Sequence, residues 1–173
     1  MFSTEPILWV QQFASPALDV FFSAITLLGT QYAYIVILVS LYWCVDRRIA
    51  HRLAMVFLAS MWVNGYLKET FQTPRPSPDD GVRVLARESS FSFPSGHAQG
   101  SATLWGWLAL ACRSWKMWLA AALLVLLIGL SRIYLGAHYA GDVLGGWALA
   151  VLAIGLFSAA EAFVKRVGPS RRA

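Results

Sequence analysis

Most of this 173-residue chain is divided into apolar runs that reach, or nearly reach, the length needed to cross a lipid bilayer. A membrane-spanning helix needs about 20 mostly apolar residues. Five segments are predicted to be spans: Gln31–Val45, Ile49–Phe71, Gly96–Cys112, Trp115–Gly136 and Tyr139–Val164. These runs predict an all-α helix bundle embedded in a membrane, with residues 1–173 forming a single domain.

The composition excludes most other classes of protein. Hydrophobic residues make up 58% of the chain and charged residues 13%, whereas soluble domains have about 45–50% and about 25%. A soluble globule of this composition would expose large apolar patches, and a disordered chain would contain far less apolar surface. The net charge of +5 is interpreted as basic residues retained at one membrane face, so no nucleic-acid partner is expected.

Residues 1–30 are apolar but are interrupted by polar side chains. The pair Ser15-Pro16 is typical of a helix start, with an N-cap followed by proline at the first helical position. We interpret this region as two short amphipathic helices, Glu5–Ala14 and Pro16–Leu28, lying at the membrane interface. The alternative is a sixth span over Ile7–Leu28.

The distribution of the 14 Lys and Arg residues orients the bundle. Nine of them fall on one side of the five spans, which the positive-inside rule predicts to be cytoplasmic: Arg47, Arg48, Arg52, Arg113, Lys116, Lys165, Arg166, Arg171 and Arg172. The helix bundle, residues 31–165, would then be followed by a basic cytoplasmic tail, residues 166–173. The expected location is the plasma (inner) membrane. Five cations remain at the extracytoplasmic face, against the rule: Lys68, Arg75, Arg83, Arg87 and Arg132.

Three polar segments end or begin spans at that extracytoplasmic face. Lys68–Pro76 closes the second span, Phe93–His97 opens the third, and Ser131–Asp142 joins the fourth to the fifth. Ionisable side chains inside or beside membrane helices are costly and are functional by default. We therefore predict a functional site where these segments meet.

The cationic and helix-start residues of these segments are suited to binding phosphate. Ser95 and Gly96 lie at a helix start, where backbone N–H groups and the helix dipole favour an anion. Lys68, Arg75 and Arg132 add positive charge, and the two guanidiniums provide forked donors for phosphate oxygens.

The histidines supply the reactive groups. His138 and Asp142 are spaced i, i+4 and share one helix face, so the carboxylate can orient the ring and stabilise a developing cation. His97 is then available as a general acid. The predicted chemistry is phosphoryl transfer with a histidine nucleophile. An alternative is a metal site formed by His97, His138 and Asp142, which three neighbouring cations disfavour, so no metal and no other cofactor is expected.

The three segments also resemble the signatures of a known family. Lys-x6-Arg-Pro, Pro-Ser-Gly-His and Ser-Arg-x5-His-x3-Asp are similar to those of the type 2 phosphatidic acid phosphatase superfamily, which includes bacterial lipid phosphatases, glucose-6-phosphatase and the vanadium haloperoxidases. The resemblance implies a metal-independent phosphatase in which His138 is the nucleophile, Asp142 orients it and His97 protonates the leaving group. It implies that the phosphate is held by Lys68, Arg75, Ser95, Gly96 and Arg132.

These inferences predict an integral membrane phosphatase that hydrolyses lipid phosphate monoesters or diphosphate esters through a phosphohistidine. Phosphatidic acid, phosphatidylglycerophosphate and isoprenoid phosphates or diphosphates all remain candidate substrates. Its expected partners are that lipid phosphate and the bilayer itself. The alternatives are a lipid-diphosphate phosphotransferase, which would act through the same phosphohistidine, and a soluble sugar-phosphate phosphatase of the glucose-6-phosphatase type.

Overall fold

The structure, a computed structural model, describes residues 3–167 and is helical throughout its regular elements. The α-helices are α1 (Glu5–Gln11), α2 (Pro16–Leu27), α3 (Gln31–Cys44), α4 (Arg47–Phe71), α5 (Gly96–Cys112), α6 (Trp115–Tyr134) and α7 (Ala140–Val167), with a short 3₁₀ helix at Pro78–Asp80. The predicted all-α fold is confirmed. Most of the predicted tail, residues 168–173, lies outside the described residues.

Helix α5 is the centre of the bundle. It packs against α4, α6 and α7, while α3 packs against α4, and both α1 and α2 pack against α6. The main core cluster joins α3, α4, α5 and α7 and consists of Tyr34, Leu53, Val56, Phe57, Leu104, Trp107, Leu108 and Ile154. The outer faces of α3, α4, α6 and α7 instead carry exposed Leu, Val, Ile, Phe and Trp side chains, as a lipid-facing surface would.

The N-terminal region forms the two short helices that the sequence predicts. Ser15 caps α2, its hydroxyl accepting from the Leu18 N–H at 3.3 Å, and Pro16 is the first helical residue. Helix α1 ends at Gln11 rather than at the predicted Ala14. The residues that follow form turns instead, in which the Phe13 N–H donates to the Val10 carbonyl oxygen at 3.3 Å and the Ala14 N–H to the Gln11 carbonyl oxygen at 3.1 Å.

Among residues 3–167, two helices are long and apolar enough to cross a membrane by length and composition: α6 and α7. Helices α2 and α3 together satisfy the same test but are bent by 48° at the break between them, so they count as a third span only if the pair is one broken span. This grouping differs from the predicted alternative, which placed a sixth span over Ile7–Leu28.

Helices α5 and α7 are in close contact beside the predicted site. A Cβ atom added at Gly146 would lie 2.8 Å from the Ser95 carbonyl oxygen and 3.0 Å from the Gln99 backbone nitrogen. Just above this contact, the Ser95 N–H donates to the Asp142 carbonyl oxygen at 3.0 Å. The start of α5 is therefore held directly on the first turn of α7.

Replacing Gly146 with alanine should push these two helices apart, because backbone atoms cannot move aside as a flexible side chain can. We expect Gly146→Ala to lower the free energy of unfolding by about 1–3 kcal/mol, the usual cost of overpacking. The matched control is Gly155→Ala in the same helix, where an added Cβ meets no atom within 4 Å. Thermal unfolding of both variants in detergent checks this; equal tolerance of the two would contradict the close packing.

Candidate active site

The structure brings the three predicted polar segments together at one end of the bundle. The contacts described below connect the last turn of α4, the loop from 72 to 95, the start of α5, the end of α6 and the α6–α7 connection. The predicted site residues on these elements are Lys68, Arg75, Ser95, Gly96, His97, Arg132, His138 and Asp142.

His138 and Asp142 form the buried centre of this cluster, and both are 0% exposed. His138 Nδ1 lies 3.3 Å from Asp142 Oδ2. The same carboxylate oxygen accepts from the Ser92 hydroxyl at 2.5 Å and from the Tyr139 N–H at 3.0 Å. A carboxylate held by several donors has a fixed position, so it fixes the imidazole ring that it contacts.

Arg75 determines the tautomer of His138. Its Nη1 lies 3.1 Å from His138 Nε2 and also donates to the Ala137 carbonyl oxygen at 2.7 Å. A guanidinium only donates, so Nε2 has to accept and carries no proton. The proton is then on Nδ1 and points at Asp142. His138 therefore presents an unprotonated nitrogen beside a cation, as a nucleophile toward phosphate requires.

The environment of His138 favours this neutral form. Burial lowers the pKa of His138 well below its ordinary value, and the positive charges of Arg75 and Arg132 lower it further. The ring therefore stays unprotonated at pH values where an exposed histidine would be charged.

The other two predicted cations are buried and aimed at the same region. Arg132 is 2% exposed, and its Nη1 donates to Thr26 Oγ1 of α2 at 2.7 Å. Lys68 Nζ donates to the carbonyl oxygens of Phe91 and Ser92, the latter at 3.4 Å. Thus α2 helps to position Arg132, and the loop before α5 is held on α4 by Lys68.

The start of α5 differs in one detail from what the sequence suggested. Ser95 is the N-cap of α5, its hydroxyl accepting from the Ala98 N–H at 3.4 Å. Its own N–H donates to the Asp142 carbonyl oxygen and is not directed at an anion. Ser95 thus anchors the helix start on α7, and Gly96 is the first residue of the helix.

Sequence reasoning missed Glu88, whose carboxylate lies in the middle of the cluster. Glu88 Oε2 lies 2.8 Å from Arg75 Nη2, and Oε1 contacts Arg132 Nη2. Oε1 also lies 3.6 Å from His97 Nδ1, and Oε2 lies 3.9 Å from His138 Nε2. Burial alone would raise the pKa of Glu88, but Arg132 and Arg75 bring it below its ordinary value, so the group is a carboxylate.

Ser92 is the second residue that the sequence did not single out. Its hydroxyl contacts Asp142 and lies 3.4 Å from His138 Nδ1. Ser92 directly precedes the Phe93–His97 segment, and this adjacency could have drawn attention to it. Glu88 had no comparable signal, because it lies in an irregular loop without periodicity.

The predicted metal alternative is not matched by a cluster of ligands. Within residues 3–167, no group of three or more His, Cys, Asp or Glu side chains has an arrangement that could hold a metal ion. The potential ligands are interleaved with Arg75 and Arg132, whose positive charges oppose cation binding.

Comparison with known proteins identifies the family. The sequence model of the PAP2 superfamily matches residues 49–165, and the chain belongs to that superfamily. Phosphatidylglycerophosphatase B of Bacillus subtilis (strain 168) is 34% identical over 121 residues, which cover 65% of this chain and 58% of that protein. Lipid phosphate phosphatase delta of Arabidopsis thaliana is 28% identical over 167 residues, which cover 87% of this chain and 40% of that protein. The family predicted from the three motifs is thereby confirmed.

A solved structure shares the fold as well. The crystal structure of the first transmembrane PAP2-type phosphatidylglycerolphosphate phosphatase, from Bacillus subtilis, superposes with a TM-score of 0.79 at 26% identity. The match covers 97% of this chain and 87% of that one. Together with the apolar helices α6 and α7, these relatives identify a membrane protein.

The state of His138 can be checked by titration. We expect its ring to protonate with a midpoint clearly below the ordinary histidine pKa of about 6.5, because burial and two neighbouring cations oppose the charged form. The measurement is ¹⁵N NMR of histidine-labelled protein in detergent, with His138→Ala used to assign the signal. A midpoint at or above about 6.5 would contradict the geometry of the Arg75 contact.

Proposed function

We propose that this protein is an integral membrane phosphatase that hydrolyses lipid phosphate monoesters or diphosphate esters through a phosphohistidine intermediate. The observation that carries the proposal is the environment of His138 Nε2. This nitrogen is unprotonated, lies 3.1 Å from the Arg75 guanidinium, and belongs to a ring whose other nitrogen faces Asp142. A nucleophile, an orienting carboxylate and a cation for the phosphate thus meet at one point.

The reaction follows from these positions in two displacements. In the first, the Arg75 N–H that donates to His138 Nε2 turns to a phosphate oxygen, and the freed Nε2 lone pair attacks phosphorus. The bond from phosphorus to the leaving oxygen breaks, and His97 gives that oxygen a proton. In the second, water attacks the phosphohistidine, His97 takes a proton from that water, and inorganic phosphate leaves. Asp142 stabilises the positive charge that His138 acquires when it is phosphorylated. The phosphate oxygens would be held by Lys68, Arg75, Arg132 and the start of α5 at Gly96, which Ser95 fastens to α7.

No metal or other cofactor has a role in this proposal. The cations Lys68, Arg75 and Arg132 supply the neutralisation of phosphate charge that a divalent ion supplies in many other phosphatases. Nucleophilic attack by a histidine also removes the need for a metal-activated water in the first step.

The substrate proposed is a lipid, reached sideways from the bilayer. The candidate residues lie at helix ends and in connections, where a phosphate headgroup would sit while its tails stay among the exposed apolar side chains of the bundle. The loop from Thr73 to Phe93 is too short to form a separate domain for a soluble substrate. The names of the two relatives described above refer to lipid phosphates. Phosphatidic acid, phosphatidylglycerophosphate and isoprenoid phosphates or diphosphates are the candidates.

We propose five spans in the plasma membrane, with the site at the extracytoplasmic face and the C-terminus in the cytoplasm. The argument is the positive-inside rule. Arg47, Arg48 and Arg52 at the start of α4, like Lys165 at the end of α7, lie at the opposite end of the bundle from the cluster around His138. Helices α1 and α2 would then lie at the extracytoplasmic interface.

The substrate assignment can be tested with purified protein. In matched detergent, a lipid phosphate should be hydrolysed with a far higher kcat/KM than glucose 6-phosphate or p-nitrophenyl phosphate, because tail binding positions the reacting group. The measurement is release of inorganic phosphate, with His138→Ala as the inactive control. Equal or better hydrolysis of the sugar phosphate would replace the lipid assignment, and transfer of the phosphoryl group to another acceptor would indicate a phosphotransferase.

Chelation tests the proposed independence from metals. We expect hydrolysis of the best substrate to persist after dialysis against EDTA, since the phosphate is neutralised by side chains. Phosphate release before and after dialysis is the measurement. Loss of activity that a divalent cation restores would show that a metal takes part.

A further inference from the structure

The carboxylate of Glu88 occupies the place where a phosphate would have to sit. Its four neighbours are the guanidiniums of Arg75 and Arg132 and the rings of His97 and His138. In the proposed reaction the two guanidiniums hold the phosphate, His97 is the general acid and His138 is the nucleophile. A carboxylate within 4 Å of all four groups lies at the centre of the proposed phosphate-binding site, which we call the cradle.

Glu88 and a phosphate cannot occupy this position together. Glu88 Oε2 is 3.9 Å from His138 Nε2, whereas an attacking atom and its target must lie about 3–3.5 Å apart. A phosphoryl group at that distance from Nε2, bound by the same guanidiniums of Arg75 and Arg132 that contact Glu88, would compete with the carboxylate for the same space and the same donors, and like charges would repel. Substrate therefore has to displace Glu88.

The backbone around Glu88 allows such a displacement by side-chain rotation. The loop is held on one side by the Leu85 and Ala86 N–H groups, which donate to the Leu135 carbonyl oxygen at 2.9 and 3.3 Å. On the other side the Ser92 N–H donates to the Thr73 carbonyl oxygen at 2.9 Å.

Space for the displaced side chain lies next to it. Glu88 and Arg75 both line an open cavity of about 240 Å³, and the Glu88 side chain is already 28% exposed. The carboxylate can therefore leave the cradle while the loop stays attached at both ends.

We propose that Glu88 is an intramolecular competitor for the phosphate position that sets how tightly an anion must bind in order to enter the site; this inference rests on the function proposed above. A tethered competitor raises the apparent dissociation constant of every anion by the same factor, because each anion binds only the fraction of sites that is free. A phosphomonoester carries nearly two negative charges at pH 7 and binds three cations strongly enough to overcome this factor. A phosphodiester carries one negative charge and does not bind the three cations strongly enough to displace Glu88.

The consequence is a site that stays free of bilayer headgroups. Phosphodiester lipids surround a membrane enzyme at high local concentration and at the depth of the proposed site. An uncovered cradle formed by Lys68, Arg75 and Arg132 would bind them as unreactive inhibitors. With Glu88 in place, the site would open to the terminal phosphate of a monoester or diphosphate.

The test compares Glu88→Gln with wild type. We expect the Kd of inorganic phosphate and the Ki of dioctanoyl phosphatidylglycerol, a phosphodiester, to fall together by about tenfold or more, since loss of a tethered competitor acts equally on both. Wild type should show little inhibition by the phosphodiester at concentrations where the variant is clearly inhibited. Glu69→Gln, an exposed site at the end of α4 with the same charge change, should leave both constants unchanged.

Phosphate binding is measured by thermal shift and by calorimetry, which need no turnover. If neither constant falls in Glu88→Gln, or if either rises, Glu88 is only a counter-ion for buried arginines and the proposal is wrong. If the variant does not fold without phosphate, Glu88→Asp, whose shorter side chain should withdraw from the rings, must show the same tighter binding. If Glu88→Gln binds phosphate more tightly but the wild-type protein hydrolyses no phosphate ester, the role of Glu88 as a competitor is supported and the proposed phosphatase function is wrong.

Discussion

A positive charge that is buried among membrane helices has to face an anion, and the arrangement of this end of the bundle follows from that requirement. Arg132 is 2% exposed, and its guanidinium contacts the carboxylate of Glu88, which Arg75 shares. Burying two cations and one carboxylate leaves a net positive charge. Glu88 therefore offsets part of the buried positive charge when substrate is absent, and the remaining positive charge attracts a more highly charged anion, which is the property a phosphate site needs.

Specific contacts between elements that are distant in sequence hold this arrangement in place. The start of α5 is fastened to α7 by the bond between the Ser95 N–H and the Asp142 carbonyl oxygen, and Gly146 lets the two helices meet there. His97 and Asp142, from two different motifs, are thus tied through the backbone. Helices α1 and α2 add a second clamp, because Gln11 donates to the Arg83 and Tyr134 carbonyl oxygens at 2.8 Å each, while Asp19 accepts from Tyr134.

Much of this could be predicted from the sequence, and the omissions have a physical reason. The Ser15 cap of α2, the long apolar helices α6 and α7, and the meeting of three polar segments all follow from local pattern and from the alternation of spans. The positions of Glu88 and Ser92 do not, because they depend on the path of an irregular loop. The bend between α2 and α3 was also missed, since two short apolar runs do not specify the angle between them.

The central claim is that His138 Nε2 is the atom that accepts the phosphoryl group. The most direct measurement is to quench the protein during turnover of a ³²P-labelled lipid phosphate, digest it, and locate the label by mass spectrometry. The account predicts acid-labile, alkali-stable phosphate on His138, and none in His138→Ala. Turnover by wild type with no label on His138, or with label on His97 instead, would contradict it.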